Sequence, residues 1–340
     1  MSAPLADDDI AALRSWVRRI GLGSDVADVT PLTGGSQNIV VRLTVDGRPM
    51  VLRRPPEHPR PTSDDTMRRE IAVLSTLAGS TVPHPELIAG CEDLDVLGVV
   101  FYLMEAVDGV NPGTEIDDGY VRDPRWRHAV GLSYAAGVAA LGRVPWEGSP
   151  IAALRRPGSF LARQVPQFLR LLESYRHDRY APESFPSVGV LAQWLDAHRP
   201  PDAEPAILHG DCHLGNVLLR RDAPQVAAFV DWEMSTIGDP LLDLGWMLVC
   251  WPDGPDPIGA GSALAALGGL PTRAELLAAY RGRPADARPT DWTGTWRWRV
   301  SSSASSSRAP GRGTWPGGPA PTPASGCTRQ RRNSSRSERE

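Results

Sequence analysis

AILHGDCHLGNVLL, Ala206 to Leu219, sets two apolar runs around a segment that holds two histidines, an aspartate and an asparagine. Buried polar groups cost free energy unless they are paired, so this segment is poor core material. The flanking AIL and VLL read as short strands, and VAAFVD (226–231) returns after RRDAPQ (220–225). A hairpin folded about that turn places Asn216 opposite Asp231. The carboxylates of Asp211 and Asp231 and the amide of Asn216 then converge at one sheet edge.

Phosphoryl transfer asks for that set. One carboxylate accepts the proton of the attacking hydroxyl; a second carboxylate and an amide oxygen hold Mg²⁺ against the nucleotide phosphates. Asp211 and Asn216 stand at the D-x-x-x-x-N spacing of a kinase catalytic loop. A rival reading comes from the alternation of His209, Asp211 and His213, which an extended strand would put on one face. That is the pattern of a metal-dependent hydrolase. It leaves Asn216, Asp231, Arg53 and Glu70 without roles. On its own, His209 reads as a loop-bracing histidine.

Asp7 to Ile20 carries a helical stripe of Ile10, Leu13, Val17 and Ile20. NIVVRLTVDGRPMVLRR (38–54) holds Asp46-Gly47 between two β-rich runs, a hairpin signal. SDDTMRREIAVLSTLA (63–78) reads as a helix capped by Ser63. Glu70 falls on the edge of its inward face and wants a cationic partner. GVVFYLMEAVDGV (98–110) is a strand that breaks at Asp108-Gly109, and 124–200 is mainly helical. In IGDPLLDLGWMLVCW (237–251), Asp239 suits the N-cap and Pro240 the first helical position. TRAELLAAY (272–280) makes a further helix.

The chain is 340 residues long, enough for two lobes with sizeable cores. It has no apolar run long enough to span a bilayer, and its acidic start does not read as a signal peptide. The expectation is a cytoplasmic protein with no membrane partner. Four cysteines show no paired spacing, so neither a disulfide frame nor a zinc site is expected. A net charge of −4 gives no nucleic-acid footprint. All 36 basic residues are arginine, so any cation in a site must be a guanidinium. The last forty residues are low in complexity and carry seven Arg and two Glu, which leaves −9 on the remainder. They read as disordered. The stretch from Thr295 can also be written in codons that spell an apolar-periodic helix in another frame, so a lost reading frame is a further hypothesis for this tail.

HGDCHLGN resembles the H-G-D-x-x-x-x-N loop of the aminoglycoside phosphotransferase and choline-kinase-like family, and VDWE resembles its version of the metal-binding D-F-G. GDPLLDLGW resembles the helix start that follows. The resemblance covers about residues 30 to 280. It implies an α+β, two-lobed protein-kinase-like fold, with a small antiparallel β-sheet lobe and a larger, mainly helical lobe. The lobes would be 1–105 and 106–292, followed by the 293–340 tail. It further implies that Asp211 is the catalytic base, that Asn216 and Asp231 hold Mg²⁺, and that Asp243 braces the catalytic loop.

LTGGSQN resembles the phosphate-covering loop, with Gly34, Gly35 and Ser36 at the phosphates of ATP or GTP. VLRR sits where kinases carry V-A-I-K, so Arg53 replaces the lysine and should pair with Glu70; Arg54 is the fallback. VLRRPP with arginine resembles the kinase-like domains associated with some acyl-CoA dehydrogenases. Adenine would dock at Met104-Glu105-Ala106-Val107, with Glu105 and Ala106 as nucleotide contacts. The acceptor is expected to be a small hydroxylated molecule facing 124–200, where Arg163 and Gln164 are candidates. Trp194, Trp246 and Trp251 line it or, on the plainer reading, pack the core. The arginine-rich 155–179 stretch leans toward a hydroxyacyl-CoA-like anion. A non-catalytic, nucleotide-binding pseudokinase is the alternative; oligomeric state is not legible.

Overall fold

A computed structural model describes residues 5–32, 38–176, 186–253 and 263–282. Gly34, Gly35, Ser36 and the whole 293–340 tail lie outside the described residues.

The small lobe opens with α1 (Asp7–Arg19) and a five-stranded antiparallel sheet. Its strands are β1 (Val26–Pro31), β2 (Ile39–Val45), β3 (Arg48–Arg54), β4 (Leu87–Cys91) and β5 (Phe101–Glu105), in the order β1-β2-β3-β5-β4. The β2–β3 turn needs positive φ at both central residues. Asp46 (φ 47°) and Gly47 (φ 77°) supply it, as the sequence predicts.

Side chains alternate across the sheet. Met50 and Leu52 of β3 join Phe101 and Leu103 of β5 on one face, buried against Leu13, Trp16 and Val17 of α1. The other face carries Arg53 and Tyr102, which are register partners on adjacent strands. Helix α2 (Ser63–Leu77) lies on that face and buries Met67, Glu70, Val73, Leu74 and Leu77. Ser63 is not its cap. Thr62 holds the N-cap position, and the Ser63 hydroxyl instead accepts from the Arg60 amide. The short α3 (Leu94–Leu97) precedes β5, which is shorter than expected because it ends at Glu105.

The larger lobe is mainly helical: α4 (Asp118–Arg122), α5 (Pro124–Leu141), α6 (Phe160–Ser174), α7 (Pro186–Ala197), α8 (Leu241–Val249), α9 (Ala263–Ala266) and α10 (Arg273–Arg281). Among them run the antiparallel pairs β6 (Ala206–Leu208) with β9 (Thr236–Gly238) and β7 (Val217–Leu219) with β8 (Val226–Phe229). Tyr134 of α5 stacks between Phe229 and Trp251 at centroid distances of 5.8 and 5.9 Å, which ties the β7–β8 hairpin to the helical core. Helix α8 starts one residue later than the sequence suggests. Pro240 takes the N-cap position, and Asp239 reaches over it to accept from the Leu241 amide. The β7–β8 register pairs Val217 with Phe229, so Asn216 faces Val230, one residue short of Asp231. No helix among the described residues is long and apolar enough to cross a membrane.

Candidate active site

The loop between β6 and β7 is clamped from below. Gly210 has φ 85°, and a Cβ there would meet the Met234 carbonyl oxygen at 2.5 Å, so only glycine fits. Asp243 of α8 accepts from the amides of His209 (2.7 Å) and Gly210 (2.9 Å). Burial lifts its pKa to about 6, although the two amide hydrogen bonds pull the other way. Asp243 thus occupies the bracing place expected from sequence. The Tyr134 hydroxyl adds a second clamp, donating to the Cys212 carbonyl at 2.6 Å.

His209 is fully buried, and burial lowers its pKa, so the ring is neutral. Its Nδ1 accepts from the Asp211 amide (3.3 Å) and its Nε2 donates to the Val230 carbonyl (3.1 Å). Both ring nitrogens are therefore spent on bracing the loop. His213 spends its Nδ1 on the Gly215 amide. The hydrolase reading of His209, Asp211 and His213 loses His209, because a metal needs a free ring nitrogen, while His213 keeps its Nε2, 3.5 Å from Asp211 Oδ2.

The Asp211 carboxylate is held at both oxygens. Trp246 Nε1 donates to Oδ1 at 3.1 Å, and the Asn216 amide donates to Oδ2 at 3.1 Å and to the Asp211 carbonyl at 2.9 Å. Asn216 thus spends its NH₂ on Asp211, which leaves its amide oxygen as the donor atom for a cation.

Asp231 sits in the left-handed region (φ 68°, ψ 64°), which costs a non-glycine residue free energy and often marks a functional position. Arg53 reaches it from β3, with Nη2 2.5 Å from Oδ1. The same guanidinium has Nε 2.9 Å from Glu70 Oε2, outside hydrogen-bond alignment, so that contact is ionic. The expected Arg53–Glu70 pair is present. The Tyr102 hydroxyl donates to Glu70 Oε2 at 2.5 Å, while Glu70 Oε1 has no hydrogen-bond partner. Burial lifts Glu70 to about 7 against the pull of Arg53 and Tyr102. Burial also works against the Arg53 charge, but Glu70, Tyr102 and Asp231 outweigh it and hold the guanidinium charged. The fallback, Arg54, turns to the opposite face and pairs with Asp9 at 3.0 Å.

Glu233 was missed from sequence. Its carboxylate lies with those of Glu70 and Asp231 inside 4.8 Å. Asn38, just after the glycine-bearing loop, donates to Glu233 at 3.2 Å, and Arg69 of α2 donates to its carbonyl at 2.6 Å. An acid two residues beyond Asp231 was the available signal. Tyr102 was readable only through strand register.

A cavity of about 350 Å³ opens beside the loop, bordered by Gly210 and Trp246. Arg69, Arg156, Arg163 and Gln164 line it. Trp251 is core, donating to the Pro271 carbonyl, and Trp194 stacks on His198 at the surface. The Glu105 amide donates to the Glu86 carbonyl, and its carboxylate accepts from the Glu86 amide, so its N–H is already engaged.

The family model of the phosphotransferase enzyme family matches residues 28–281. The chain belongs to that family. Among solved structures, the chain resembles a "putative aminoglycoside phosphotransferase" from Ralstonia eutropha JMP134, with 28% identity, TM-score 0.65, and 87% of this chain and 85% of that chain covered. The GDP complex of aminoglycoside 2'-phosphotransferase-IIIa shares the fold at 18% identity, TM-score 0.58, with 86% and 87% covered. Among curated relatives, acyl-CoA dehydrogenase family member 11 of Gallus gallus is 29% identical over 74% of this chain. Acyl-CoA dehydrogenase family member 10 of Mus musculus is 28% identical over 64%. The chain spans only 32% and 20% of the lengths of those two relatives.

Proposed function

We propose that this phosphotransferase moves the γ-phosphoryl group of ATP or GTP to a hydroxyl of a small anionic metabolite. Two contacts support the reading: Asn216 holds the Asp211 carboxylate on the clamped loop, and Arg53 from the small-lobe sheet holds Asp231 just after β8.

Asp211 is the base. As the acceptor oxygen bonds to the γ-phosphorus and the bond to the β-phosphate oxygen breaks, the hydroxyl proton passes to its carboxylate. Arg53 is placed to neutralise phosphate charge, with Glu70 and Tyr102 fixing its guanidinium. Gly34, Gly35 and Ser36 belong to the proposed phosphate loop, and the backbone after Glu105, beginning at Ala106, to the base site. The donor set fits Mg²⁺, since the Asn216 amide oxygen and the Asp231 carboxylate are hard oxygen ligands, with Glu233 beside them. Bound there, the ion would offset the charge of the phosphate oxygens. The chain's own part is positioning and charge compensation.

Three arginines on the cavity wall favour an anion over a polycationic aminoglycoside. The names of the curated relatives point to acyl-CoA chemistry, which makes hydroxyacyl-CoA thioesters the first acceptors to try. The test is nucleoside-diphosphate release from Mg·ATP and Mg·GTP over a panel of hydroxylated anions, those thioesters and aminoglycosides. Turnover with an anion is expected. Turnover with aminoglycosides alone overturns the anionic acceptor. Tight nucleotide binding with no turnover on any acceptor turns the reading to the non-catalytic pseudokinase.

A further inference from the structure

Helix α8 does more than brace the catalytic loop. Asp243 and Trp246 are three residues apart, so they share one helix face. Asp243 fixes the loop backbone at His209 and Gly210. One turn on, Trp246 is 4% exposed and aims its only polar atom, Nε1, at Oδ1 of Asp211. Asn216 takes the other carboxylate oxygen. Donors at both oxygens restrict rotation of the carboxylate, and His213 Nε2 lies a further 3.5 Å from Oδ2. Trp246 also borders the arginine-lined cavity, alongside Gly210 of the same loop.

We infer that Trp246 is a positioning residue that fixes the rotamer of the Asp211 carboxylate. This rests on the proposed role of Asp211 as base. A buried indole is ordinarily counted as packing, and Trp251 is such a case, with its Nε1 given to the Pro271 carbonyl. Trp246 differs because its partner is the reacting group itself.

Two measurements test it. In the intact protein, the ¹⁵N–¹H resonance of the Trp246 indole, assigned through bonds, should sit downfield and move upfield in Asp211→Ala. An unmoved resonance overturns the inference, whether or not the protein is a kinase. In steady-state kinetics, Trp246→Phe keeps an aromatic ring, a smaller one, and loses the N–H. It should lower kcat about tenfold to a hundredfold, as expected for a misplaced catalytic group, with the nucleotide KM unchanged. An unchanged kcat overturns the inference, and so does a fall in kcat matched by weaker nucleotide binding and a lowered melting temperature. A wild-type protein with no transfer activity refutes the kinase reading separately, and the indole resonance still decides the Trp246–Asp211 contact.

Discussion

Arg53 of the small lobe holds Asp231 of the large lobe at 2.5 Å, while its own position is set by Glu70 at 2.9 Å. One guanidinium therefore ties the two halves of the cleft together and offsets a carboxylate that is otherwise buried.

Removing that cation should be costly. Arg53→Met leaves Glu70 buried without its counter-charge, and losing one partner of a buried pair costs about 3–5 kcal/mol. Adding Glu70→Gln to Arg53→Met should recover most of that loss in urea unfolding, because no uncompensated charge is left inside. Nucleotide affinity should stay low in both variants. Recovery of stability and affinity together would mean that Arg53 has no part in phosphate binding.

Asp211→Ala should cut transfer by about 10²–10⁴-fold, the usual worth of a positioned general base. Nucleotide binding by calorimetry should be nearly unchanged, because Arg53, Asn216 and Asp231 remain. Transfer that survives the substitution would assign the base elsewhere.

Arg156 is exposed on the cavity wall, so its loss should weaken the acceptor alone. Arg156→Ala is expected to raise the acceptor KM about fivefold, equivalent to roughly 1 kcal/mol for an exposed ion pair. The nucleotide KM should not move. Paired KM measurements on the two substrates check this.

Asp243 gives a pH prediction with a definite sign. Its ordinary pKa is 3.8, and burial lifts it to about 6 in the fold. Between those values the native state holds a proton that the unfolded chain has lost, so stability from this group falls as pH rises. Its contribution is complete below the unfolded value and is lost as pH climbs through about 6. The stability gap between wild type and Asp243→Ala should therefore narrow from pH 4 to pH 7, read from urea midpoints (a window taken from the two pKa values above).

Much of this molecule was legible before folding. Asp46-Gly47 named its hairpin because a turn with positive φ at both centres selects those residues. The short hairpin between HGDCHLGN and VDWE was legible, and it sets Asn216 against Val230, next to Asp231. Ser63 failed as a cap because it becomes the first helical residue, its hydroxyl is taken by the Arg60 amide, and Thr62 at the N-cap position makes no side-chain cap bond. The engagement of the Glu105 amide by Glu86 stayed hidden, because it depends on β4 pairing back onto β5 at that point. Glu233 stayed hidden because an acid near an acid reads equally well as a solvated surface.

By itself the sequence determined the local units: helices, the hairpins and the order of motifs, since spacing and turn chemistry act over a few residues. Tertiary structure alone decided that Tyr102 and Glu70 converge on Arg53, that Arg54 turns away to Asp9, and that Trp246 reaches Asp211. Those contacts join residues far apart in the chain, and they depend on strand register and on which helix face meets the loop.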